Sequence, residues 1–260
     1  MSRIANVFKR SSSGINSKIL NIYCTAGFPL LESTMVVMKA LQENGADIIE
    51  LGMPYSDPLA DGPVIQSSST TALRNGMTMT KLFEQLRDFR KEINLPVVLM
   101  GYMNPILQYG FEKFCQVAAE IGIDGLILPD LPEHEFENEY GAIIKKHALD
   151  FIFLVTPETS DERIKKLDSL SSGFLYAVSS SSITGKEKDF QSVEKYLQRL
   201  QNMKLLNPVL VGFGIKERPT FESVCKYANG AIIGSAFIKA IKDASDIEKA
   251  TRNFLESILK

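Results

Sequence analysis

Residues 50–63 read ELGMPYSDPLADGP, a stretch in which a carboxylate lies at the end of a strand-like apolar run and a loop rich in Pro, Gly and Asp follows. Glu50 comes directly after Ile48 and Ile49. A carboxylate in so apolar a strand is costly to bury unless it is paired, hydrated or raised in pKa, which makes Glu50 a candidate general acid or base. Its position alone equally allows Glu50 to point outward to solvent or to pair with a lysine.

Short apolar runs of this kind recur along the chain and alternate with amphipathic stretches. Each has the length of a strand buried on both faces. There are eight runs, the number that a closed barrel needs, and no GxGxxG motif follows the first. We therefore predict an α/β fold, a TIM (β/α)8 barrel in which residues 1–260 form a single domain with extra short helices. The predicted strands are Ile19 to Thr25, Asp47 to Leu51, Pro96 to Gly101, Gly125 to Pro129, Phe151 to Val155, Phe174 to Ser179, Pro208 to Gly212 and Ala231 to Gly234.

The amphipathic stretches between the runs predict the helices of the barrel, and several end at a turn signal such as Asn44-Gly45 or Asn229-Gly230. An extra helical piece is expected around Ser67 to Thr71, and a short helix is expected to begin at Gly234-Ser235. The main predicted helices are Glu32 to Asn44, Thr80 to Glu92, Phe111 to Ile121, Glu135 to Ala148, Asp161 to Leu170, Phe190 to Met203, Arg218 to Tyr227 and Asp246 to Leu259.

The composition narrows the class of partner. With 45% hydrophobic residues, 23% charged residues and a net charge of -2, the chain has no electrostatic reason to bind nucleic acid, and a small neutral or anionic metabolite is the expected ligand. No apolar run approaches the roughly 18 residues of a membrane span. The first 18 residues are basic and Ser-rich like a transit peptide, but a core strand follows at once, which disfavours that interpretation.

Cysteine and histidine usage argues against a disulfide framework and against a metal site. The three cysteines, Cys24, Cys115 and Cys225, are isolated in apolar segments and are expected to be reduced core residues of a cytoplasmic protein. The two histidines, His134 and His147, have no metal-ligand spacing. We expect His134 to lie on a solvated helix face.

Active sites of barrels lie at the C-terminal ends of the strands, so residues that follow a predicted strand are candidates for the active site. Asp57 and Asp61 precede turn-forming residues, and each taken singly is explained by local backbone hydrogen bonds. Together with Glu50 they are nevertheless consistent with a divided acid and base task, because one proton can be given while another is taken.

The glycine-rich loops on the other side of the barrel predict a phosphate site. Gly214 follows the seventh run, and Gly234 and Ser235 follow the eighth at the start of a helix. Free backbone N–H groups and the helix dipole both favour an anion there. The Thr184-Gly185 pair, after the sixth run, would complete the cradle, and Ser179 to Ser182 form a candidate mobile lid.

Aromatic and aliphatic residues near other strand ends would make the rest of the pocket apolar. Each one singly is better explained as core, but collectively they suggest a substrate with one apolar end and one phosphate end. These residues are Tyr23, Tyr102, Ile127, Leu154 and Tyr176.

The chain closely resembles the tryptophan synthase α subunit family along essentially its whole length. ELGMPYSDPLADGP resembles the family signature, and VVLMGYMNP, LPDLP, the Thr184-Gly185 pair, GFGI and GSA follow in family order. The resemblance implies retro-aldol cleavage of indole-3-glycerol phosphate to indole and glyceraldehyde 3-phosphate without a cofactor. Glu50 would be the proton shuttle, and Asp61 would hold the indole N–H and stabilise the positive charge on the ring.

The same resemblance implies the remaining roles. Phosphate would be bound at Gly185, Gly214, Gly234 and Ser235. Indole would lie among Tyr23, Tyr102, Ile127, Leu154 and Tyr176. A β subunit that carries pyridoxal phosphate (PLP) would receive the indole in an α2β2 assembly, and the loops facing it would contain Pro54, Asp57, Asn104 and Pro132.

The chain departs from the family in the sixth loop, where Ser180 and Ser182 replace a common arginine and glycine. Loss of a long cation and a hinge puts loop closure and signalling to the partner in doubt. The main alternative is a stand-alone indole-3-glycerol phosphate lyase. A phosphate-binding barrel isomerase would lack the 50–63 signature, and a non-catalytic regulator would require Glu50 or Asp61 to be dispensable.

Overall fold

A computed structural model describes residues 2–12, 18–178, 187–212 and 214–260. The sixth-loop residues Ser179 to Ser182 and the Thr184-Gly185 pair therefore lie outside the described residues. None of the helices within the described ranges is long and apolar enough to cross a membrane.

The strands form one parallel sheet that closes on itself. Along the sheet the order is β5-β4-β3-β2-β1-β9-β8-β7-β6. The two end strands, β5 and β6, belong to one short segment, residues 150–155, so the sheet is a ring. The strands are β1 (Ile19–Thr25), β2 (Ile48–Gly52), β3 (Val97–Met100), β4 (Gly125–Ile127), β5 (Asp150–Phe151), β6 (Leu154–Val155), β7 (Leu175–Val178), β8 (Val209–Gly212) and β9 (Gly230–Ile233).

Helices follow most strands and pack around the ring. Side-chain caps start several of them: Thr78 accepts from the Lys81 N–H at 3.1 Å and Asp246 from the Lys249 N–H at 2.9 Å. The helices are α1 (Arg3–Ser12), α2 (Ser33–Glu43), α3 (Pro63–Arg74), α4 (Met79–Leu86), α5 (Met103–Tyr109), α6 (Phe111–Ile121), α7 (Glu133–Glu135), α8 (Gly141–Lys146), α9 (Asp161–Leu170), α10 (Glu187–Asn202), α11 (Arg218–Val224), α12 (Ser235–Ile241) and α13 (Ile247–Leu259), with a 3₁₀ turn at Phe89–Lys91 and a π turn at Phe136–Tyr140.

The fifth predicted strand is observed as two short pieces. Hydroxyl groups of the loop between α9 and β7 take two of its backbone donors, because Ser172 accepts from the Phe151 N–H at 2.9 Å and Ser171 from the Phe153 N–H at 3.2 Å. The segment still closes the ring: Ile152 N–H donates to the Leu126 carbonyl and the Phe153 carbonyl accepts from Tyr176 N–H, each at 3.0 Å. One predicted strand position is thus occupied by β5 and β6 together.

A buried carboxylate ties together the N-terminal end of the barrel. Asp124, before β4, accepts from the Val97 N–H at 2.8 Å and from Arg3 at 3.0 Å, and it pairs with Arg90. Arg90 also donates to the Gly122 carbonyl at 2.9 Å. Because the charges of Asp124 and Arg90 are both hydrogen-bonded, the cost of their burial is compensated. The bond from Arg3 anchors α1 over this end of the ring.

Strand register determines which side chains face the barrel interior. Paired residues of neighbouring strands share a face, and alternate residues of one strand share it too. Tyr23 pairs with Glu50, Glu50 with Val98, and Leu154 with Tyr176. The register therefore groups these residues on the inner face near the C-terminal ends of the strands, where a barrel carries its chemistry.

We expect Gly230→Ala to destabilise the barrel. A Cβ atom at this position would lie 2.1 Å from the Ile19 carbonyl oxygen, and a backbone atom in a paired strand cannot move aside cheaply. Overpacking of this kind costs about 1 to 3 kcal/mol, which urea unfolding followed by circular dichroism would detect as a lower midpoint. Gly62→Ala is the matched control, since apart from its chain neighbours no atom in the described ranges lies within 4 Å of its Cβ position. Equal midpoints for the two variants would contradict the prediction.

Candidate active site

Glu50 is buried inside the ring. It is 1% exposed on β2, and no ion pair to it is found in the part of the chain that the structure describes. The amide Nδ2 of Asn21 donates to its Oε2 at 3.2 Å. Burial raises the pKa of Glu50 to about 8; the hydrogen bond from Asn21 opposes this rise, and the nearby charge of Asp61 adds to it. A carboxyl group with this pKa can both give and take a proton near neutrality.

Asp61 lies on the loop after β2 and is half-buried. Burial raises its pKa to about 6, while a hydrogen-bonding contact from the Tyr102 hydroxyl lowers it. The same hydroxyl accepts from the Ala60 N–H at 3.1 Å, so Tyr102 holds the loop on both sides of the Ala60–Asp61 peptide bond. Near neutral pH the two carboxyl groups therefore differ: Asp61 is mostly ionised, whereas Glu50 mostly retains its proton.

Two tyrosines fill the mouth of the barrel between these acids and the far strands. A Cβ at Gly52 would lie 2.1 Å from the Tyr23 hydroxyl, and one at Gly212 would lie 2.2 Å from the Tyr176 ring. These two strand-end glycines are therefore required for the rings to lie where they do. Burial, followed by the charges of Glu50 and Asp61, raises the pKa of Tyr176 well above its usual value, which keeps its hydroxyl neutral.

The other predicted apolar residues lie around the same mouth. Ile127 is completely buried at the end of β4, Leu154 is partly buried on β6, and Tyr102 is 3% exposed just after β3. The ring of Tyr55 packs on that of Tyr102 with centroids 5.5 Å apart. The surface between the two acids and the far strands is consequently aromatic and aliphatic.

The predicted phosphate residues lie at the same end of the barrel, apart from Gly185, which is outside the described residues. Gly214 has φ of +36°, and apart from its chain neighbours no atom of the described residues lies within 4 Å of its Cβ position. Gly234 is the N-cap of α12, next to Tyr23 and Ile65, and Ser235 is exposed at the start of that helix. The start of α12, where backbone N–H groups have no partner within the helix, therefore lies beside Tyr23.

The predicted partner-facing residues are at the surface. Asp57, Asn104 and Pro132 are exposed and Pro54 is partly exposed. Asn104 donates to the Tyr55 hydroxyl at 3.0 Å, and this bond links the loops after β2 and β3. Leu59, on the same face, is 86% exposed.

Sequence reasoning assigned no role to four residues that contribute to the site. Asn21, the hydrogen-bond partner of Glu50, was signalled by a polar residue inside the apolar run ILNIYCT. Gly52 and Gly212 were signalled by glycines at strand ends. Asp130 of LPDLP was quoted without a role; both its carboxylate oxygens accept from the Met103 N–H, at 3.1 and 3.0 Å, and so fix the start of α5.

One surface cavity lies away from this cluster. A surface cavity of about 600 Å³ beside α1 is lined partly by Asn94 and Pro96, which precede β3, so it opens at the opposite end of the barrel. Among the described residues, no group of three or more His, Cys, Asp or Glu side chains could hold a metal ion. His134 is exposed on its helix, as expected.

Comparisons with known proteins agree on one family. The family profile described as "Tryptophan synthase alpha chain" matches residues 11–259. A protein of that name from Flavobacterium johnsoniae is 54% identical over 230 residues, which cover 88% of this chain and 91% of the relative. Another, from Parabacteroides distasonis, is 48% identical over 259 residues, or 99% of each chain.

Solved structures confirm the predicted barrel fold. A crystal structure of the tryptophan synthase alpha chain from Legionella pneumophila has a TM-score of 0.89 at 36% identity, covering 99% of this chain and 96% of that one. The aminoacrylate-bound form of tryptophan synthase from M. tuberculosis has a TM-score of 0.86 at 32% identity, covering 99% and 100%.

We expect Glu50→Gln to stabilise the fold increasingly as pH rises. The pKa of Glu50 is raised in the folded chain, so between about pH 4.5 and 8 the unfolded chain releases a proton that the folded chain keeps, and wild-type stability falls with pH. Gln removes this dependence, and the free energy of unfolding should exceed that of wild type by up to about 4 kcal/mol at pH 8. Urea unfolding at pH 5, 6, 7 and 8 measures the difference. The exposed variant Glu43→Gln should show the wild-type slope; the prediction fails if Glu50→Gln shows it as well.

Proposed function

Because the chain belongs to the tryptophan synthase alpha chain family, we propose that it cleaves indole-3-glycerol phosphate by a retro-aldol reaction to indole and glyceraldehyde 3-phosphate. The observation that carries this proposal is the buried Glu50, whose pKa of about 8 places a proton donor and acceptor inside the barrel mouth. Asp61, with a lower pKa, supplies a second carboxyl group that stays ionised.

The two acids divide the work. Protonated Glu50 gives its proton to indole C3, and the positive charge that develops on the ring is stabilised by ionised Asp61 at the indole N–H. The Glu50 carboxylate then removes the proton of the glycerol hydroxyl next to the ring. The C–C bond breaks as the aldehyde forms, its electron pair restores the aromatic ring, and Glu50 regains its proton. Proton transfers by a positioned carboxyl group contribute typically 10²- to 10⁴-fold.

The substrate's two ends match the two sides of the mouth. The indole end would lie among Tyr23, Tyr102, Ile127, Leu154 and Tyr176. The phosphate end would be bound at Gly185, Gly214, Gly234 and Ser235, where backbone N–H groups and the start of α12 favour an anion. The exposed, open setting of Gly214 and Ser235 supports this assignment.

A β subunit that holds PLP is the proposed partner, in an α2β2 assembly in the cytoplasm. Pro54, Asp57, Asn104 and Pro132 surround the barrel mouth and would face it. Leu59 on the same loop is 86% exposed and would add apolar surface to such a contact. Indole would pass from the mouth to the partner's PLP, which this chain does not itself require.

We expect Glu50→Gln to lower the turnover of indole-3-glycerol phosphate by about 10³-fold or more, and Asp61→Asn by about 10²-fold, because shape is kept while the proton and the charge are lost. The chain contains no Trp, so indole release can be followed directly by fluorescence. Asp88→Asn, which changes an acid exposed beside Lys91, is the control and should be unaffected. Near-normal turnover in Glu50→Gln or Asp61→Asn would remove that residue from the mechanism.

We expect a PLP-loaded β subunit from a close relative to raise the turnover of this chain at saturating substrate by at least about tenfold, since closure of the mouth would be completed by the partner. Steady-state indole release with and without the β subunit measures the ratio. A stand-alone lyase would show a ratio of one, and that result would favour the alternative function.

A further inference from the structure

Asn21 is a buried polar side chain whose hydrogen bonds are half satisfied. It is completely buried on β1, and its Nδ2 donates to Glu50 Oε2 at 3.2 Å. Its Oδ1 is buried without a partner in the part of the chain that the structure describes. An unpaired buried oxygen destabilises a fold. Its position beside Glu50, whose pKa is raised, therefore requires a reason.

The two strand partners of Asn21 offer no side-chain donor to its Oδ1. Its strand partners are Ile48 on β2 and Ile232 on β9, and both are apolar. The register places Asn21 one layer deeper in the barrel than Tyr23, which pairs with Glu50. Asn21 is therefore positioned to contact Glu50 from below, away from the barrel mouth where substrate would enter.

A carboxyl group that changes its protonation state changes its hydrogen-bonding needs. The carboxylate accepts only, while the carboxylic acid has an O–H to donate. An Asn amide carries both a donor, Nδ2, and an acceptor, Oδ1. A half turn of the amide group exchanges their positions. The unpaired Oδ1 is the acceptor that a protonated Glu50 would use.

We propose that Asn21 is a positioning residue for Glu50 that holds its carboxyl group in both protonation states, donating from Nδ2 to the carboxylate and accepting at Oδ1 from the acid. The inference rests on the proposed function, in which Glu50 gives and takes a proton in each turnover. Asn21 itself stays neutral and transfers no proton. Only the direction of its hydrogen bond changes.

The other ionisable groups near Glu50 do not replace this contact. Burial raises the pKa of Tyr23 and of Tyr176, and the charges of Asp61 and Glu50 add to this rise, so these phenols stay neutral. Cys24, the next residue on β1 after Tyr23, has a pKa raised by burial and then by Glu50, and remains a thiol. Asn21 makes the side-chain hydrogen bond that acts on the Glu50 pKa.

The test uses Asn21→Leu, which is close in volume and can neither donate nor accept. Infrared spectra of the full chain, with the Glu50 band assigned by subtracting spectra of Glu50→Gln, report the carboxyl group directly. We expect the C=O band of the protonated acid to move to higher wavenumber, because a hydrogen bond is lost. The pKa of Glu50 should rise by about half to one unit, since a bond to a carboxylate is stronger than one to the neutral acid.

Kinetics provide the second readout. Because Asn21 lies below the mouth, kcat for indole release should fall about tenfold while KM changes less than about twofold, which corresponds to an interaction that acts on the chemical step. The limb of the pH profile governed by Glu50 should move upward with the infrared pKa. Thr251→Val is the matched control: Thr251 is also completely buried with an oxygen lacking a partner in the described residues, but it lies on α13.

If Asn21→Leu does not fold, Asn21→Asp keeps the shape, and its carboxyl group should share a proton with Glu50 and raise the pKa of the pair. An unchanged C=O band and kcat in the folded Leu variant would overturn the proposal, and so would a pKa shift without a band shift, since Asn21 would then serve the carboxylate alone. A wild-type chain that does not cleave indole-3-glycerol phosphate would defeat the proposed function, while the infrared titration would still decide the contact.

Discussion

Burial of the Glu50 carboxyl group, at 1% exposure and with an amide rather than a cation as its hydrogen-bond partner, is the interaction around which the barrel mouth is built. Such a group responds to low dielectric by retaining its proton, and its pKa of about 8 records that response. The rest of the structure has to supply the free energy that this burial costs. It does so through a continuous core of apolar strands that surrounds one inward-facing acid.

The carboxyl group of Glu50, on β2, and that of Asp61, on the loop after β2, have different pKa values because their surroundings differ. Glu50 faces inward between apolar strands, whereas Asp61 is half-buried, and its pKa rises only to about 6 because of burial opposed by the Tyr102 hydroxyl. Burial acts on both, but less completely on Asp61, which explains why Glu50 mostly retains its proton near neutral pH while Asp61 is mostly ionised. A chain of contacts connects that charge to the exposed face of the barrel: Asn104 donates a hydrogen bond to the Tyr55 hydroxyl, and the Tyr55 ring packs on that of Tyr102.

Most of the fold could be predicted, and the errors have physical reasons. The run Ile19 to Thr25 matches β1 residue for residue, because a short, mostly apolar run of this length is typical of a strand buried on both faces. The fifth run was expected as one strand, yet loop hydroxyls from Ser171 and Ser172 take its backbone donors and divide it. Helix α5 (Met103–Tyr109) was missed, since its first turn is held by Asp130 from the next loop rather than by a local cap.

By itself, the sequence determined the alternation of strands and helices, the position of Glu50 and Asp61 at one strand end and the family to which the chain belongs, because these depend on local composition and on order along the chain. Only the tertiary structure decided that Asn21 is the partner of Glu50, that Gly52 and Gly212 admit the rings of Tyr23 and Tyr176, and that Tyr102 restrains Asp61. These contacts join residues from different strands and loops. They exist because closure of the sheet gives all the strands one shared interior, and no local pattern records which side chains will meet there.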